Sequence, residues 1–330
     1  MKTMITGVRP TGKITLANYI GGIKGFVEKQ NYYKSYIFIA DIHGLTTYID
    51  PNEIRNNILD ITAMYLACGI DTKHTALFMQ SDVLEHCNLG FLMSFQCSVG
   101  ELSRMTQFKS KKQQLGKNEK DMGLFIYPTL MAADILLYDA EMVPVGADQR
   151  QHIEKTRDFG ERFNSIYGET FKLPDYYLPK IGAKIMNLQD PTIKMSKSAP
   201  IDDKGTIFIL DDVEITRKKI MSACTDNEGK VYFDEENKPG ISNLISLICV
   251  VNNMTIKEAE EKYKDYNYKD FKIAVADGVC NFIKNIQNNY YKYRNDEDYL
   301  RKVLKNGADK ARKYASNKMK QVKEKIGLSV

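Results

Sequence analysis

The N-terminal stretch KTMITGVRPTGKITLANYIGG, residues 2–22, decides how the chain begins to fold. Its first five residues, β-branched or apolar in the main, predict a strand, and the glycines and proline that follow predict a tight turn. Thr15 then stands where a side-chain oxygen caps the first turn of a helix over TLANYIGG. The positive N-terminal end of that helix faces the turn, as in many anion sites. A strand–turn–helix connection without any ligand fits the same residues.

The turn also has the spacing of a P-loop, because residues 7–13 read G-x-x-x-x-G-K. A P-loop binds phosphate through consecutive backbone N–H groups and places a Ser or Thr hydroxyl on Mg²⁺. Pro10 has no N–H group, and Ile14 occupies the Ser or Thr position. The sequence therefore argues against a P-loop kinase or GTPase.

Beyond the turn, short apolar runs alternate with longer amphipathic ones. The strand-like runs are KTMIT, YIFIAD, TALFMQ and EMVPVG, and the helix-like runs are IRNNILDITAMYLACG, TLMAADILLYDA and QRQHIEKTRDFGERFN. This order predicts an α/β domain on a parallel sheet, with ligands at the carboxyl ends of the strands. After Pro200 the pattern is mostly helical. We place the boundary in the polar loop QDPTIKMSKSAPIDDKG, between a domain over residues 1–195 and an all-helical domain over residues 196–330.

Composition bounds the class of protein. The chain has 330 residues, of which 43% are hydrophobic and 27% charged, enough for one large or two medium domains. It has neither an apolar run of the roughly 18 residues that a membrane span needs nor a recognisable secretion signal, so we expect a cytoplasmic protein without membrane contact. Its six cysteines form no C-x-x-C pair, which predicts reduced core thiols rather than a zinc site or disulfides.

Positive charge is concentrated at the C-terminal end. Residues 301–330 contain ten Lys or Arg against Asp309 and Glu324. Apolar residues recur there at steps of three and four, which predicts a long helix with one packed and one basic face. These apolar residues are Leu304, Ala308, Ala311, Ala315, Met319, Val322 and Ile326. The basic face is either an ordinary solvated surface or a surface for a polyanion such as RNA.

A second informative string is KMSKSAP, residues 194–200, a polar segment with two lysines three residues apart. Lysine-rich loops are most often only solvated. The string K-M-S-K-S, however, occurs here together with an N-terminal strand, a glycine turn and T-x-x-N, a combination that is rare by chance. Three further strings occur in the same order as in a known family: GELSRMTQFK, YPTLMAADILLYDAEMVPVGADQRQHIEKTRDFGERFN and KPGISNL. Over essentially its whole length the chain resembles the bacterial tryptophanyl-tRNA synthetases, a class I aminoacyl-tRNA synthetase family.

The resemblance implies a Rossmann-like catalytic domain that makes tryptophanyl-adenylate from L-tryptophan and ATP. It implies a C-terminal helical domain that binds the anticodon of tRNA(Trp). It further implies a homodimer with GFLMSFQCSVGELSRM near the interface, and Mg²⁺ as the counter-ion of ATP without a dedicated protein site.

The implied reaction needs cations rather than a general base, because the attacking carboxylate oxygen is already an anion. Positive charge is required where pyrophosphate leaves. Lys194 and Lys197 fit this role, and by resemblance Lys109 and Lys111 are further phosphate contacts. The ATP contacts that the resemblance implies are Arg9, Thr11, Gly12, Thr15, Ala17, Asn18, Gly146, Asp148, Ile185, Met195 and Ser196. Asp148 is equally compatible with a helix N-cap.

Tyr127, Met131 and Asp134 stand at i, i+4 and i+7, so one helix face presents an aromatic ring, a flexible apolar side chain and a carboxylate. Such a face suits a ring that carries one N–H, although core packing around a locally satisfied Asp fits the residues too. The resemblance implies that Asp134 accepts the indole N–H. It adds further pocket residues: Ile5, Gly7, His43, Val143, Val145 and Gln149. His43 is also compatible with a structural role.

Two residues depart from the family pattern, since most members have Gln and Gly where this chain has Arg9 and Ala17. The Ala17 methyl is expected to push the adenine outward or to weaken ATP binding. Arg9 adds a fixed positive charge near the substrate carboxylate. Two alternatives remain open: a tyrosyl-tRNA synthetase, whose pocket also reads a polar ring substituent with a carboxylate, and a non-catalytic RNA-binding module.

Overall fold

The computed structural model describes residues 1–109, 121–146, 149–177, 185–197 and 199–329. The predictions for Lys111 and Asp148 therefore lie outside the described residues.

A five-stranded parallel sheet forms the centre of the N-terminal part. Its strands are β1 (Thr3–Val8), β2 (Lys34–Ile39), β3 (Thr75–Met79), β4 (Met142–Pro144) and β5 (Asp175–Tyr177). The spatial order is β3-β2-β1-β4-β5, with every pairing parallel. The order reverses between β1 and β4, which is where ligands bind in open α/β sheets. The predicted fold class is confirmed, whereas β5 was not among the predicted strands.

The central strands are covered on both faces. All but the first residue of β2, and all but the last of β3, are buried, as expected for strands of a parallel sheet between helical layers.

Helices flank the sheet and make up most of the C-terminal part. The N-terminal helices are α1 (Leu16–Asn18) and α2 (Lys24–Lys29), joined by a π-helical turn (Tyr19–Ile23), then α3 (Asp41–Gly44), α4 (Pro51–Ala67), α5 (Glu85–Ser94), α6 (Val99–Ser103), α7 (Asp121–Leu136) and α8 (Arg150–Tyr167). The C-terminal helices are α9 (Val213–Met221), α10 (Pro239–Asn252), α11 (Ile256–Tyr263), α12 (Tyr268–Arg294) and α13 (Glu297–Lys325).

The helix-like run TLMAADILLYDA, residues 129–140, lies in a helix that starts earlier, as the helical spacing from Tyr127 also requires. The observed α7 passes through Pro128, and the Thr129 hydroxyl donates to the Ile126 carbonyl at 2.8 Å in the same turn. The helix also stops at Leu136 rather than Ala140, because the chain then turns through Asp139 at φ +49°.

The C-terminal helices pack back onto the N-terminal part. Helix α12 lies against α4, and α13 lies against the edge strand β3. The two elements approach closely at Gly307, where an added Cβ atom would overlap the carbonyl oxygen of Leu77. A glycine is therefore required at this point of the helix, and the unpaired edge of the sheet is covered.

The predicted two-faced character of α13 is largely confirmed. Six of the seven apolar residues are buried, and Ile326, at the helix C-cap, is half-buried. Lys318 corrects the prediction of the basic face, because its side chain is buried. It donates to Asp139 Oδ2 and to the Thr170 carbonyl, each at 2.8 Å. It therefore fixes α13 to the N-terminal part.

All six cysteines are free thiols, but they are not all in the core. Cys68, Cys249 and Cys280 are buried, whereas Cys87 and Cys224 are exposed. The prediction of core thiols is wrong for these last two.

Among the described residues, no single helix combines the length and apolar character needed to cross a membrane. Helices α10 and α11, bent by 108° relative to each other, reach that standard only as a pair and only by length and composition.

Candidate active site

A cavity of about 350 Å³ opens at the carboxyl ends of β1 and β4, bounded by α3 and α7. The residues predicted for the amino-acid pocket all line it: Ile5, Gly7, His43, Tyr127, Met131, Asp134, Val143, Val145 and Gln149. Arg9 and Gly146, predicted to contact ATP, line the same cavity. One face of α7 and the strand ends thus bring these side chains to one cavity. Their contacts with an amino acid stay predictions.

Asp134 is the buried charge of this cavity, with 0% of the residue exposed. Its Oδ1 accepts hydrogen bonds from Gln80 Nε2 at 2.7 Å and from His86 Nδ1 at 2.6 Å. Its Oδ2 lies 2.9 Å from His43 Nε2. A buried carboxylate with several donors is stabilised in its charged form.

The pKa of Asp134 follows from two opposing effects. Burial raises it, while the hydrogen bonds that His43 and His86 make to the carboxylate lower it more, to about 2. The carboxylate is therefore ionised at neutral pH and acts only as an acceptor.

Tyr127 forms another wall of the cavity. Its hydroxyl lies 2.6 Å from His152 Nε2 and 3.2 Å from Gln107 Oε1. Its ring meets His43 edge-on at 6.0 Å. Burial raises the pKa of Tyr127 to about 12, against a lowering by the charge of Arg9. Tyr127 therefore stays neutral, and Arg9 lies close enough for its charge to reach it.

The described part of KMSKSAP, residues 194–197, is called the lysine loop below. It lies over the N-terminal turn because the segments that follow the loop and the turn pair with each other. Leu16 N–H donates to the Ile207 carbonyl at 2.9 Å, and Ile209 N–H to the Ile14 carbonyl at 3.0 Å. Lys197 consequently packs against Gly12, where an added Cβ would lie 3.4 Å from Lys197 Cε. Gly12 also has φ +66°, a conformation that favours glycine.

Lys197 is a perturbed cation. Burial lowers its pKa, and the like charge of Arg9 lowers it further, to about 8. An anion bound between the two side chains would reverse this shift, so the pair is suited to binding phosphate.

The remaining predicted ATP contacts occupy varied environments. Thr15 is confirmed as a helix cap, since its hydroxyl accepts from Asn18 N–H at 3.1 Å while the Asn18 side chain accepts from Thr15 N–H. Ile185 and Met195 are buried in the core, where Met195 N–H donates to the Ile185 carbonyl at 3.1 Å. Thr11 and Ala17 are half-buried, whereas Ser196 and the lysines Lys109 and Lys194 are exposed. Their contacts with ATP stay predictions.

Sequence reasoning missed Gln80 and His86, the two residues that hold Asp134 from behind. Gln80 directly follows strand β3, and the carboxyl end of a parallel strand was a signal available from the sequence. His86 lies within α5 and offered no comparable signal, because a lone histidine in a helix is not distinguished from a surface residue.

The fold and the site together define a class of protein. A model of the family described as tRNA synthetases class I (W and Y) matches residues 1–284. The chain belongs to this family.

Individual relatives and solved structures show which members of the family this chain is similar to. A protein of Malacoplasma penetrans named tryptophan–tRNA ligase is 46% identical over 99% of this chain and 98% of its own length. The tryptophanyl-tRNA synthetase structure from Mycoplasma pneumoniae gives a TM-score of 0.90 at 34% identity, covering 100% of this chain and 98% of that one. The Campylobacter jejuni enzyme, solved with ADP and tryptophan, gives a TM-score of 0.83 at 33% identity, covering 99% and 100%.

Proposed function

We propose that this chain is a tryptophan–tRNA ligase, which activates L-tryptophan with ATP and transfers it to tRNA(Trp). The observation that carries the proposal is the ionised, buried Asp134 carboxylate in a largely apolar cavity beside the lysine loop. An indole ring is apolar except for one N–H donor, which complements such a cavity. The names of the relatives, at up to 46% identity over nearly the full length, point to the same substrate.

In the proposed first step, an oxygen of the tryptophan carboxylate attacks the α-phosphorus of ATP. A carboxyl–phosphate bond forms, the bond to the bridging oxygen breaks, and pyrophosphate leaves with the electron pair. No proton is removed from the nucleophile, so catalysis depends on orientation and on cations near the leaving group. Asp134 orients the ring, Arg9 lies near the reacting carboxylate and phosphate, and Lys197 and Lys194 stabilise the leaving charge.

Mg²⁺ enters this proposal as the counter-ion of ATP. Within the described ranges, no group of three or more His, Cys, Asp or Glu side chains is arranged to hold a metal ion. The residues around the lysine loop suit the phosphates rather than the metal. Titrating Mg²⁺ at fixed ATP should therefore saturate activity near stoichiometric MgATP; a requirement far above this ratio would contradict the proposal.

In the second step, a terminal ribose hydroxyl of the tRNA attacks the adenylate carbonyl carbon. An ester bond forms, the bond from that carbon to the phosphate oxygen breaks, and AMP leaves with the electron pair and takes up the hydroxyl proton. The helical domain over residues 196–330 is proposed to hold the anticodon. The exposed face of α13 supports this role, because it presents basic side chains to solvent. These include Lys302, Lys305, Lys313, Lys320 and Lys323. Such a surface suits the phosphates of RNA.

A homodimer is the proposed assembly. Large apolar side chains are exposed around α5 and the start of α6: Leu84 at 70%, Phe91 at 67%, Phe95 at 68% and Val99 at 73%. The rings of Phe91 and Phe95 meet edge-on at 5.2 Å. An exposed apolar patch of this kind marks an interface. Light scattering should give twice the chain mass of 37.8 kDa, and Phe95→Lys should lower it; a wild-type monomer would refute the assembly.

The function is tested by ATP–pyrophosphate exchange, with tryptophan and tyrosine supplied separately at equal concentrations. We expect exchange with tryptophan alone. Exchange with tyrosine alone would mean that the chain is a tyrosine enzyme with this fold. The absence of exchange with either amino acid would favour the non-catalytic RNA-binding module.

A further inference from the structure

His86 and Gln80 lie behind the cavity rather than in it. His86 is fully buried on α5, and Gln80 is fully buried just after β3. Both bond to Asp134 Oδ1, whereas His43, which does line the cavity, bonds to Oδ2. The two oxygens of Asp134 are therefore held from opposite sides, with Oδ2 on the side of the cavity.

A carboxylate offers two acceptor positions on each oxygen. The donors Gln80 and His86 occupy both positions on Oδ1. Among the described residues, His43 alone bonds to Oδ2, which leaves that oxygen one position directed toward the cavity. The site can thus accept a single further donor, and only on Oδ2.

The orientation of His86 is fixed by its second partner. A carboxylate only accepts, so His86 Nδ1 carries the proton that it shares with Asp134. The other nitrogen, Nε2, lies 2.8 Å from the hydroxyl of the buried Tyr138 and accepts a hydrogen bond from it. The rings of Phe38 and Phe78 pack at 5.7 and 5.9 Å from the imidazole. The ring is therefore clamped in one tautomer and one orientation.

The side-chain amide of Gln80 is fixed in the same way. Its Nε2 must face Asp134 because the carboxylate cannot donate, and its buried Oε1 has no hydrogen-bond partner among the described residues. A buried amide oxygen without a hydrogen-bond partner costs free energy, and the fold nevertheless holds Gln80 in the orientation that donates to Asp134. This indicates that the contact with Asp134 serves the site.

We propose that His86, assisted by Gln80, is a positioning residue for amino-acid recognition, which occupies Asp134 Oδ1 so that Oδ2 is the acceptor for the ring N–H of the substrate. The inference rests on the proposed function, since it takes tryptophan as that substrate. His86 acts through Asp134 and does not touch the substrate itself.

The two amide substitutions of His86 separate this role from a general structural one. In His86→Asn the amide lies where Nδ1 was and can still donate to Asp134. In His86→Gln the amide reaches the former position of Nε2 and meets Tyr138 instead. Both variants place one polar amide in the same buried site, so a purely structural effect should be similar for the two.

Tryptophan binding can be measured directly because the chain contains no tryptophan. Fluorescence excited beyond the tyrosine absorption reports only the ligand. We expect His86→Gln to raise the Kd for tryptophan at least about tenfold, since a buried carboxylate loses a donor. His86→Asn should stay within about threefold of wild type on the same reasoning.

Specificity gives a second readout. The benzothiophene analogue of tryptophan, in which sulfur replaces the ring N–H, is measured by competition. His86→Gln should reduce the preference for tryptophan over this analogue, and His86→Asn should retain it. His74→Gln is the matched control, because His74 is half-exposed and pairs only loosely with Asp71 at 3.9 Å.

Equal losses of affinity in the two His86 variants, with equal losses of thermal stability, would overturn the positioning role. Wild-type affinity and preference in His86→Gln would overturn it as well. A wild-type protein that neither binds tryptophan nor supports exchange would contradict the proposed function itself, and the role of His86 with it.

Discussion

Asp134 combines complete burial with a charge, so its substrate contact should dominate tryptophan affinity. We predict that Asp134→Ala raises the KM for tryptophan on the order of 10²-fold and changes the KM for ATP far less, because only the amino acid bonds to this carboxylate. Steady-state exchange with each substrate varied in turn measures both constants. Equal effects on the two KM values would contradict the assignment, and thermal unfolding controls for loss of fold.

Lys197 should act mainly on the chemical step. Lys197→Ala is predicted to lower the adenylation rate on the order of 10²-fold while tryptophan affinity changes little, because its charge is needed where pyrophosphate leaves. Rapid-quench measurement of adenylate formation gives the rate constant. Lys284→Ala, an exposed lysine on α12, serves as the control. An unchanged rate constant in Lys197→Ala would refute the role.

The burial of Lys197, together with the nearby charge of Arg9, makes activity depend on pH. The Lys197 cation is present below its pKa of about 8 and is lost as pH rises through that value. The kcat/KM for ATP, which reports the free enzyme, should therefore fall above about pH 8. Arg9→Gln removes a like charge and raises the pKa of Lys197, so the fall should move to higher pH.

A pH profile of ATP–pyrophosphate exchange measures this shift. Arg55→Gln, on the exposed side of α4, should leave the midpoint in place. A midpoint that stays fixed or moves to lower pH in Arg9→Gln would show that the two cations are not coupled.

At the scale of elements, the contact between α13 and β3 depends on one glycine. An alanine at a helix-interior glycine normally stabilises by about 1 kcal/mol. Gly307→Ala should instead destabilise by about 1–3 kcal/mol, because the methyl group overlaps the Leu77 carbonyl and the helix must move away. Chemical denaturation measures the change.

Gly123 provides the matched control for this substitution. It lies in helix α7, and an added Cβ there meets no atom of the described residues within 4 Å. Gly123→Ala should therefore stabilise the protein or leave it unchanged. If Gly307→Ala also leaves the free energy of unfolding unchanged or raises it, α13 does not pack against β3 as closely as described.

The elements around the site show what local pattern predicts well. Tyr127, Met131 and Asp134 were placed on one helix face by spacing alone, and the structure lines the cavity with all three. The helix-like run over residues 129–140 missed the first turns of α7, which pass through Pro128, and extended past its end at Leu136. Element faces follow from the sequence more reliably than element ends.

At the scale of the whole molecule, substitutions on the surface of α13 should affect the second reaction step and leave the first unchanged. We predict that replacing Lys313, Lys320 and Lys323 by alanine raises the KM for tRNA about tenfold or more and weakens the salt dependence of tRNA binding. ATP–pyrophosphate exchange should be unchanged, because these side chains lie on the exposed face of α13, and no residue of that helix lines the cavity. Aminoacylation and exchange assays on the same variant test both statements.

Lys2→Ala is the control for loss of a basic side chain elsewhere on the surface, since Lys2 is exposed at the opposite end of β1 from the cavity. A tRNA affinity that responds equally to the loss of Lys2, or not at all to the triple substitution, would contradict the proposed RNA surface on α13.

The sequence by itself determined the parallel α/β architecture, the helix face that lines the cavity and the two-faced character of α13. Each follows from periodicity over neighbouring residues, which backbone geometry converts directly into a shared face. Tertiary structure alone decided that His86 and Gln80, 48 and 54 residues from Asp134, hold its Oδ1. It likewise decided that Lys197 lies against Gly12, because contacts between distant segments depend on how whole elements pack and leave no periodic trace in the chain.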